Sequence, residues 1–246
     1  MDDMAPTSEP LGYASAAYAR SLQHVGAPIA LPASGGWMLR RAIPGADAED
    51  ACGPYPLLSV ERPSQLGEDF AGLPREVVSV TAVVDPTCGA GESDLRAAFP
   101  DHLIAFKEHF VVELDAPPLE RATAHHRRDA RRGLRRVEVE RVPLRGAFLE
   151  DWVALYGHLI ERHGIEGPAA FPRESFERLR DVPGLVAYRA SIAGETVGGQ
   201  LWLVAGERAS YHLAATNRAG YSEGAAYALM ARALEDLEWS NVGESA

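Results

Sequence analysis

The sequence predicts an α/β (α+β mixed) protein of two halves, each a mostly antiparallel sheet flanked by helices. Three observations carry that expectation. Residues 184–216 hold three β-rich runs, "LVAYRASI", "TVGGQLWLVA" and "RASYHLAAT", joined by the short turns Ala193-Gly194-Glu195 and Gly206-Glu207, which is the pattern of an antiparallel meander. The helix expected next, over 222–239, lines Ala226, Leu229, Met230, Ala233, Leu234 and Leu237 along one face, as packing on a sheet requires. Ala116-Pro117-Pro118 is a stiff break, because proline fixes φ and removes an amide donor. It divides 1–116 from 117–246.

In the first half, "LGYASAAYARSLQHVG" (11–26) has apolar residues at helical spacing and ends on Gly26, so it reads as a helix. Short strands are expected at 28–32, 36–43 and 55–60, and "PSQLGEDFAGL" (63–73) reads as a short helix opened by Pro63 and Ser64. "EVVSVTAVV" (76–84) is rich in β-branched residues and reads as a strand. A brief helix is expected around Ser93–Phe99, and a strand through most of "HLIAFKEHFVVELD" (102–115). After the proline break come a helix over 119–134, a strand over 136–142, and helices over 147–163 and 172–181.

Composition narrows the class. Hydrophobic residues at 46% and charged residues at 24% are those of a globular chain with a full core. The start, "MDDMAPTSEP", is acidic and lacks the apolar run of a secretory signal, and no window is apolar enough for a membrane span. Cys52 and Cys88 show no metal-type spacing, and two reduced thiols fit a cytoplasmic protein. No metal site is expected.

Charge is unevenly spread. "HHRRDARRGLRR" (125–136) puts six arginines into a chain of net charge −11. Residues 121–145 carry nine arginines against Asp129, Glu138 and Glu140, a local balance of +6 that leaves −17 elsewhere. So acidic a chain is a poor ligand for DNA, where a broad basic surface supplies most of the affinity. A confined basic patch suits a small polyanion. On a helix, His126, Ala130, Leu134 and Val137 form an inward stripe flanked by two arginine rows at i, i+4. Like charges at that spacing cost about 0.2–0.5 kcal/mol per pair unless something neutralises them. The neutralising groups are the protein's own carboxylates, a ligand phosphate held by Arg131 and Arg132, or a partner protein. Arg162-His163-Gly164 reads as a helix end complementing the dipole.

The stretches "HHRRDARRGLRRVEVERV", "LYGHLIERHGI", "AYRASIAGETVGGQLWL" and "SYHLAATNRAGYSEGAAYALM" resemble the GNAT acyltransferase fold. The form is that of FemAB-like proteins and of acetyltransferase domains from polysaccharide operons. The resemblance covers about 119–240, and it implies that the first half is a second, diverged GNAT-like domain. A GNAT domain continues beyond this helix with a strand, a helix and a closing hairpin, whereas the sequence stops at "WSNVGESA". The C-terminal half is therefore expected to lack its final elements and to expose a sheet edge, which predicts a homodimer.

By the same resemblance the protein transfers an acyl group from acetyl-CoA or another acyl-CoA, a co-substrate that is not tightly bound, to an amine on a small molecule, peptide or sugar. Donor pyrophosphate would lie on the loop "ATNRAGYSEGAAY" (215–227), through Asn217, Arg218, Gly220, Gly224 and Ala226. The family pattern of Arg or Gln, two residues, Gly, one residue, Gly or Ala is met only loosely there. His212, on the strand entering that loop, is the candidate base, with Tyr211, Leu213 and Ala215 expected to face the core. Two other readings stand beside this one. They are aminoacyl transfer from charged tRNA, as in peptidoglycan-bridge ligases of this fold, and a non-catalytic binding or assembly protein.

Overall fold

Ser15 starts the first helix as its cap, its Oγ accepting from the Tyr18 N–H at 3.1 Å. The structure, a computed structural model, describes residues 10–242, without the side chains of 238–242. The acidic opening stretch and residues 243–246 lie outside the described residues. In chain order the elements are α1 (Ala16–Ser21), β1 (Ala27–Leu31), β2 (Gly36–Ala42), β3 (Glu49–Cys52), α2 (Leu66–Ala71), β4 (Val77–Thr81) and α3 (Glu92–Ala98). There follow α4 (Pro118–Arg121), α5 (Ala124–Leu134), β5 (Glu138–Arg141), α6 (Gly146–His163), α7 (Arg173–Leu179), β6 (Leu185–Ile192), β7 (Glu195–Ala205), β8 (Arg208–Thr216), α8 (Arg218–Glu223) and α9 (Ala225–Val242). The chain divides into two units, Met1–Lys107 with Gly167–Pro183 and Glu108–Glu166 with Gly184–Ala246.

The first unit holds a sheet in the order β1-β2-β3-β4. Its first two pairings are antiparallel, and β3 pairs with β4 in parallel. Leu31, Met38, Ala51, Leu58, Val60 and Leu66 form its core. Asp69 ties α2 to the β1–β2 turn, one carboxylate oxygen accepting from the Ala33 N–H at 2.9 Å and the other from the Ser34 N–H at 2.7 Å. Although α7 follows α6 in the chain, it belongs to this unit and packs on α1 through buried Phe176 and Leu179.

Three expectations change here. The helix expected over 11–26 shrinks to α1 and a short turn, Gly12–Ala14. A strand forms at "EDAC" (49–52), and 55–60 contributes only the isolated bridge Leu58–Val84. Arg41 and Asp50 explain β3, since they face each other across the ladder and pair Nε to Oδ1 at 2.8 Å. Residues 102–114 form no strand despite their β-prone composition, and Phe110 is 99% exposed. Strand propensity needs a ladder partner before it becomes a strand, and no strand of the described residues pairs with this segment.

The second unit carries the sheet β5-β6-β7-β8, antiparallel throughout. The meander expected over 184–215 is present as β6, β7 and β8, from Leu185 to Thr216. Gly198 and Gly199 on β7 allow helices to approach both faces. A Cβ on Gly199 would lie 3.0 Å from the Phe148 ring of α6, and one on Gly198 would lie 3.5 Å from Leu229 of α9. The core between sheet and α9 includes Val186, Tyr188, Val197, Trp202 and Leu229. The helix expected over 119–134 is broken at Thr123, whose Oγ1 accepts from the His126 N–H at 3.3 Å and starts α5 afresh. Likewise the helix expected over 222–239 is preceded by α8 and begins at Ala225, because Gly224 adopts φ +79° and ends α8.

Candidate functional site

His212 lies at a β-bulge. On β7, Leu201 opposes Leu213 and Trp202 opposes Tyr211, so His212 is the extra residue of β8. A bulge interrupts the in–out alternation of a strand. Both His212 and Leu213 are buried in consequence, and Tyr211 is 47% exposed with its ring 5.2 Å from that of Trp202. This corrects the expectation that Tyr211 faces the core opposite His212. Burial pushes the His212 pKa down to about 3, which keeps the imidazole neutral at neutral pH. A proton acceptor works best when its pKa lies near the operating pH, and His212 lies well below it.

The stretch after β8 is a capped helical turn. Asn217 Oδ1 accepts from the Gly220 N–H at 2.9 Å, and the Asn217 carbonyl accepts from the Tyr221 N–H at 2.9 Å. The Asn217 N–H donates to Val197 O at 3.0 Å. Gly220 is buried, and a Cβ there would stand 2.3 Å from Val197 O. The Gly224 N–H turns back to the carbonyls of Gly220 and Tyr221. The amides of Gly220, Tyr221 and Gly224 are thus committed within the chain. An anion beside this turn meets the N–H groups of Arg218 and Ala219, which open α8, together with the side chains around them.

Those side chains surround a cleft of about 710 Å³ in the second unit. Thr216, Asn217 and Arg218 line it from the β8–α8 junction, and His158 and Arg162 line it from one face of α6. Tyr221 of α8 completes it, with the Arg162 guanidinium 5.4 Å from the ring centroid. Among the described residues no carboxylate lies within ion-pair distance of Arg162 or Arg218. Of the residues read from sequence, the fold brings Asn217 and Arg218 together at this cleft. Gly220 and Gly224 shape the turn behind it, and Ala226 is exposed on the first turn of α9, outside the cleft lining. Arg162 and His158 were missed as cleft residues. Their i, i+4 spacing is visible in "HLIER", but a helix-end reading already accounted for Arg162, and α6 does end at Gly164 with φ +59°.

The arginines of α5 have mixed fates. Arg136 pairs with Glu223 of α8 at 3.0 Å, and Arg128 lies 3.5 Å from Asp129. Arg127 donates to the Ala122 carbonyl. Arg131, Arg132 and Arg135 are exposed, with no ion-pair partner among the described residues. The buried stripe is Ala130, Gly133 and Val137, while His126 is exposed near Tyr227. Gly133 brings α5 against the α8–α9 junction, since a Cβ there would meet Gly224 O at 2.6 Å. Arg131 and Arg132 are not among the residues lining the cleft.

No helix among the described residues is long and apolar enough to cross a membrane, and among them no group of three or more His, Cys, Asp or Glu side chains could hold a metal ion.

This arrangement of an antiparallel meander, a bulged third strand and a helix opened by a capped turn is that of a GNAT-type acyltransferase domain. Residues 120–239 match the family model for the acetyltransferase (GNAT) domain. The match extends over just under half of the chain, and the segment is a GNAT domain of the transferase class. Among solved structures the chain is similar to FemX, with a TM-score of 0.63 and 12% identity over 95% of this chain and 82% of that one. It is also similar to the C-terminal domain (DUF2156) of a protein named as a lysylphosphatidylglycerol synthetase of Agrobacterium fabrum. There the TM-score is 0.57 and the identity 16%, over 91% of this chain and 70% of that one. Both likenesses are of fold. No curated protein matches the chain in sequence.

Proposed function

We propose that this protein transfers an acyl group from an activated donor to an amine acceptor, with acyl-CoA as the donor. The observation that carries the reading is the cleft at the β8–α8 junction of the GNAT domain, lined by Asn217 and Arg218. In that scheme the amine lone pair attacks the thioester carbonyl, a C–N bond forms, and the tetrahedral intermediate collapses with loss of the CoA thiolate. The acceptor nitrogen gives up a proton to base. Preorganised donors would hold the oxyanion. Asn217 and Arg218 are assigned to the donor, with Gly220 and Gly224 shaping the turn and Ala226 beside it. Arg131 and Arg132 are assigned to an outer phosphate and His212 to the proton. The last assignment asks most of its residue, given burial and a pKa near 3.

A second reading keeps the acceptor chemistry and replaces the donor by aminoacyl-tRNA, whose ester C–O bond would break instead. Two observations favour it. The FemX likeness extends over 95% of the chain, and Arg131, Arg132 and Arg135 offer an exposed basic row to an RNA backbone. Both donors are made in the cytoplasm, and the protein is assigned there. Transfer assays with radiolabelled acetyl-CoA and aminoacyl-tRNA on a panel of amines test the reading. Product from one donor identifies it. Absence of product from both, with folded protein, favours a non-catalytic binding module.

A further inference from the structure

Two stretches of the first unit suit a β-ladder that the chain does not complete. β4 is the edge strand of its sheet, next to β3 alone, and its Val78 is 64% exposed. Residues 102–107, in the same unit, read "HLIAFK" and belong to no helix or strand, with Ile104 and Phe106 exposed. An open apolar edge is a template for another strand, and a β-prone run becomes a strand when it meets one.

Charge selects the direction and register. Arg75-Glu76 stands just before β4, and Lys107-Glu108 ends the run. All four side chains are exposed, and none has an ion-pair partner among the described residues. Laid antiparallel with Glu76 opposite Lys107, the stretches also set Arg75 opposite Glu108, Val77 opposite Phe106 and Ser79 opposite Ile104. Opposite charges facing across a ladder stabilise it, and like charges oppose it. A slip of one residue brings Arg75 against Lys107 or Glu76 against Glu108, and a parallel alignment of the two dyads sets like against like. The run cannot fold back on its own β4 in this direction. Between them lies α3, and a single crossover helix returns a neighbouring strand parallel to the one it left.

We infer that a second copy of this chain supplies the strand, residues 102–108 of each copy adding antiparallel to the β4 edge of the other. The exchange is reciprocal, so a twofold axis closes the assembly at two copies. Two short ladders make a small interface, and the dimer is weak and concentration-dependent.

Sedimentation velocity over a range of concentrations tests the exchange, with thermal midpoints to show that each variant is folded. The parent protein is expected to pass from monomer to dimer. Lys107→Glu meets Glu76, and Glu76→Lys meets Lys107, so each variant alone should dimerise about tenfold more weakly or worse. The double variant, Glu76→Lys with Lys107→Glu, should dimerise as the parent does. An equimolar mixture of the two single variants should also dimerise, since every contact between unlike copies then joins opposite charges. Trypsin cleavage after Lys107 should slow as parent concentration rises, because the segment is free only in the monomer. A parent protein that stays monomeric up to about 0.1 mM overturns the inference. So does a dimer that resists both single variants, or one that neither the double variant nor the mixture restores.

Discussion

His212 shows how one extra residue in a strand changes a side chain's chemistry. The bulge carries it inward, and burial depresses its pKa to about 3 from the usual 6.5. The unfolded chain therefore binds a proton that the folded chain refuses between those values. Stability from this group is fully present above pH 6.5 and is lost as pH falls toward 3. We expect His212→Leu to flatten the decline in urea midpoint between pH 6 and pH 4, and a parallel decline in both proteins would refute the assignment. By the same titration, a pH–rate profile of the parent protein should show no His212 inflection between pH 5 and 8. Glycine positions are equally specific. Gly220→Ala puts a methyl 2.3 Å from Val197 O and should cost about 1–3 kcal/mol by overpacking. Gly224→Ala forces φ +79° on a residue with a Cβ and should cost about 1–2 kcal/mol. Equilibrium denaturation measures both, and it separates these structural costs from any effect on donor binding.

At the scale of elements, α5 is anchored on one side and open on the other. Gly133 and Ala130 pack it inward, and Arg136 joins it to Glu223. Arg131 and Arg132 contribute repulsion and exposure without ion-pair partners among the described residues. Changing both to Gln should alter stability by less than about 0.5 kcal/mol, in either direction. If the row meets RNA, the double variant should also bind a tRNA acceptor hairpin more weakly, with a shallower dependence on salt. An unchanged salt slope would leave the arginines as a solvated face. The arginine cluster was legible in "HHRRDARRGLRR". Its division into packed, paired and open members was not, because that depends on Glu223 and Gly224, nearly ninety residues away in sequence.

At the scale of the whole molecule, the segment 102–114 is exposed and outside any helix or strand, with Phe106 61% and Phe110 99% exposed. Backbone of this kind is a preferred site of proteolysis. Brief trypsin treatment should cut first after Lys107, and mass spectrometry of the fragments would show it. An initial cut within β6–β8 would contradict the structure. Phe110→Ser should leave stability within about 0.5 kcal/mol, since the ring buries almost nothing, and lower any tendency to associate, as light scattering would record.

Local pattern by itself determined the meander over 184–215 and α6, because turn glycines and apolar periodicity act within a few residues. Asn217 and Arg218 were marked as candidates by the family resemblance and not by local pattern. Tertiary structure decided everything that depended on a distant partner. The β-prone run at 102–114 stayed single for want of a ladder, "EDAC" became β3 through its neighbours on both sides, and a register shift against β7 turned His212 inward. Arg162 became a cleft residue only when α6 was laid beside α8. Propensity is summed along the chain, but burial, register and the meeting of side chains are set across it.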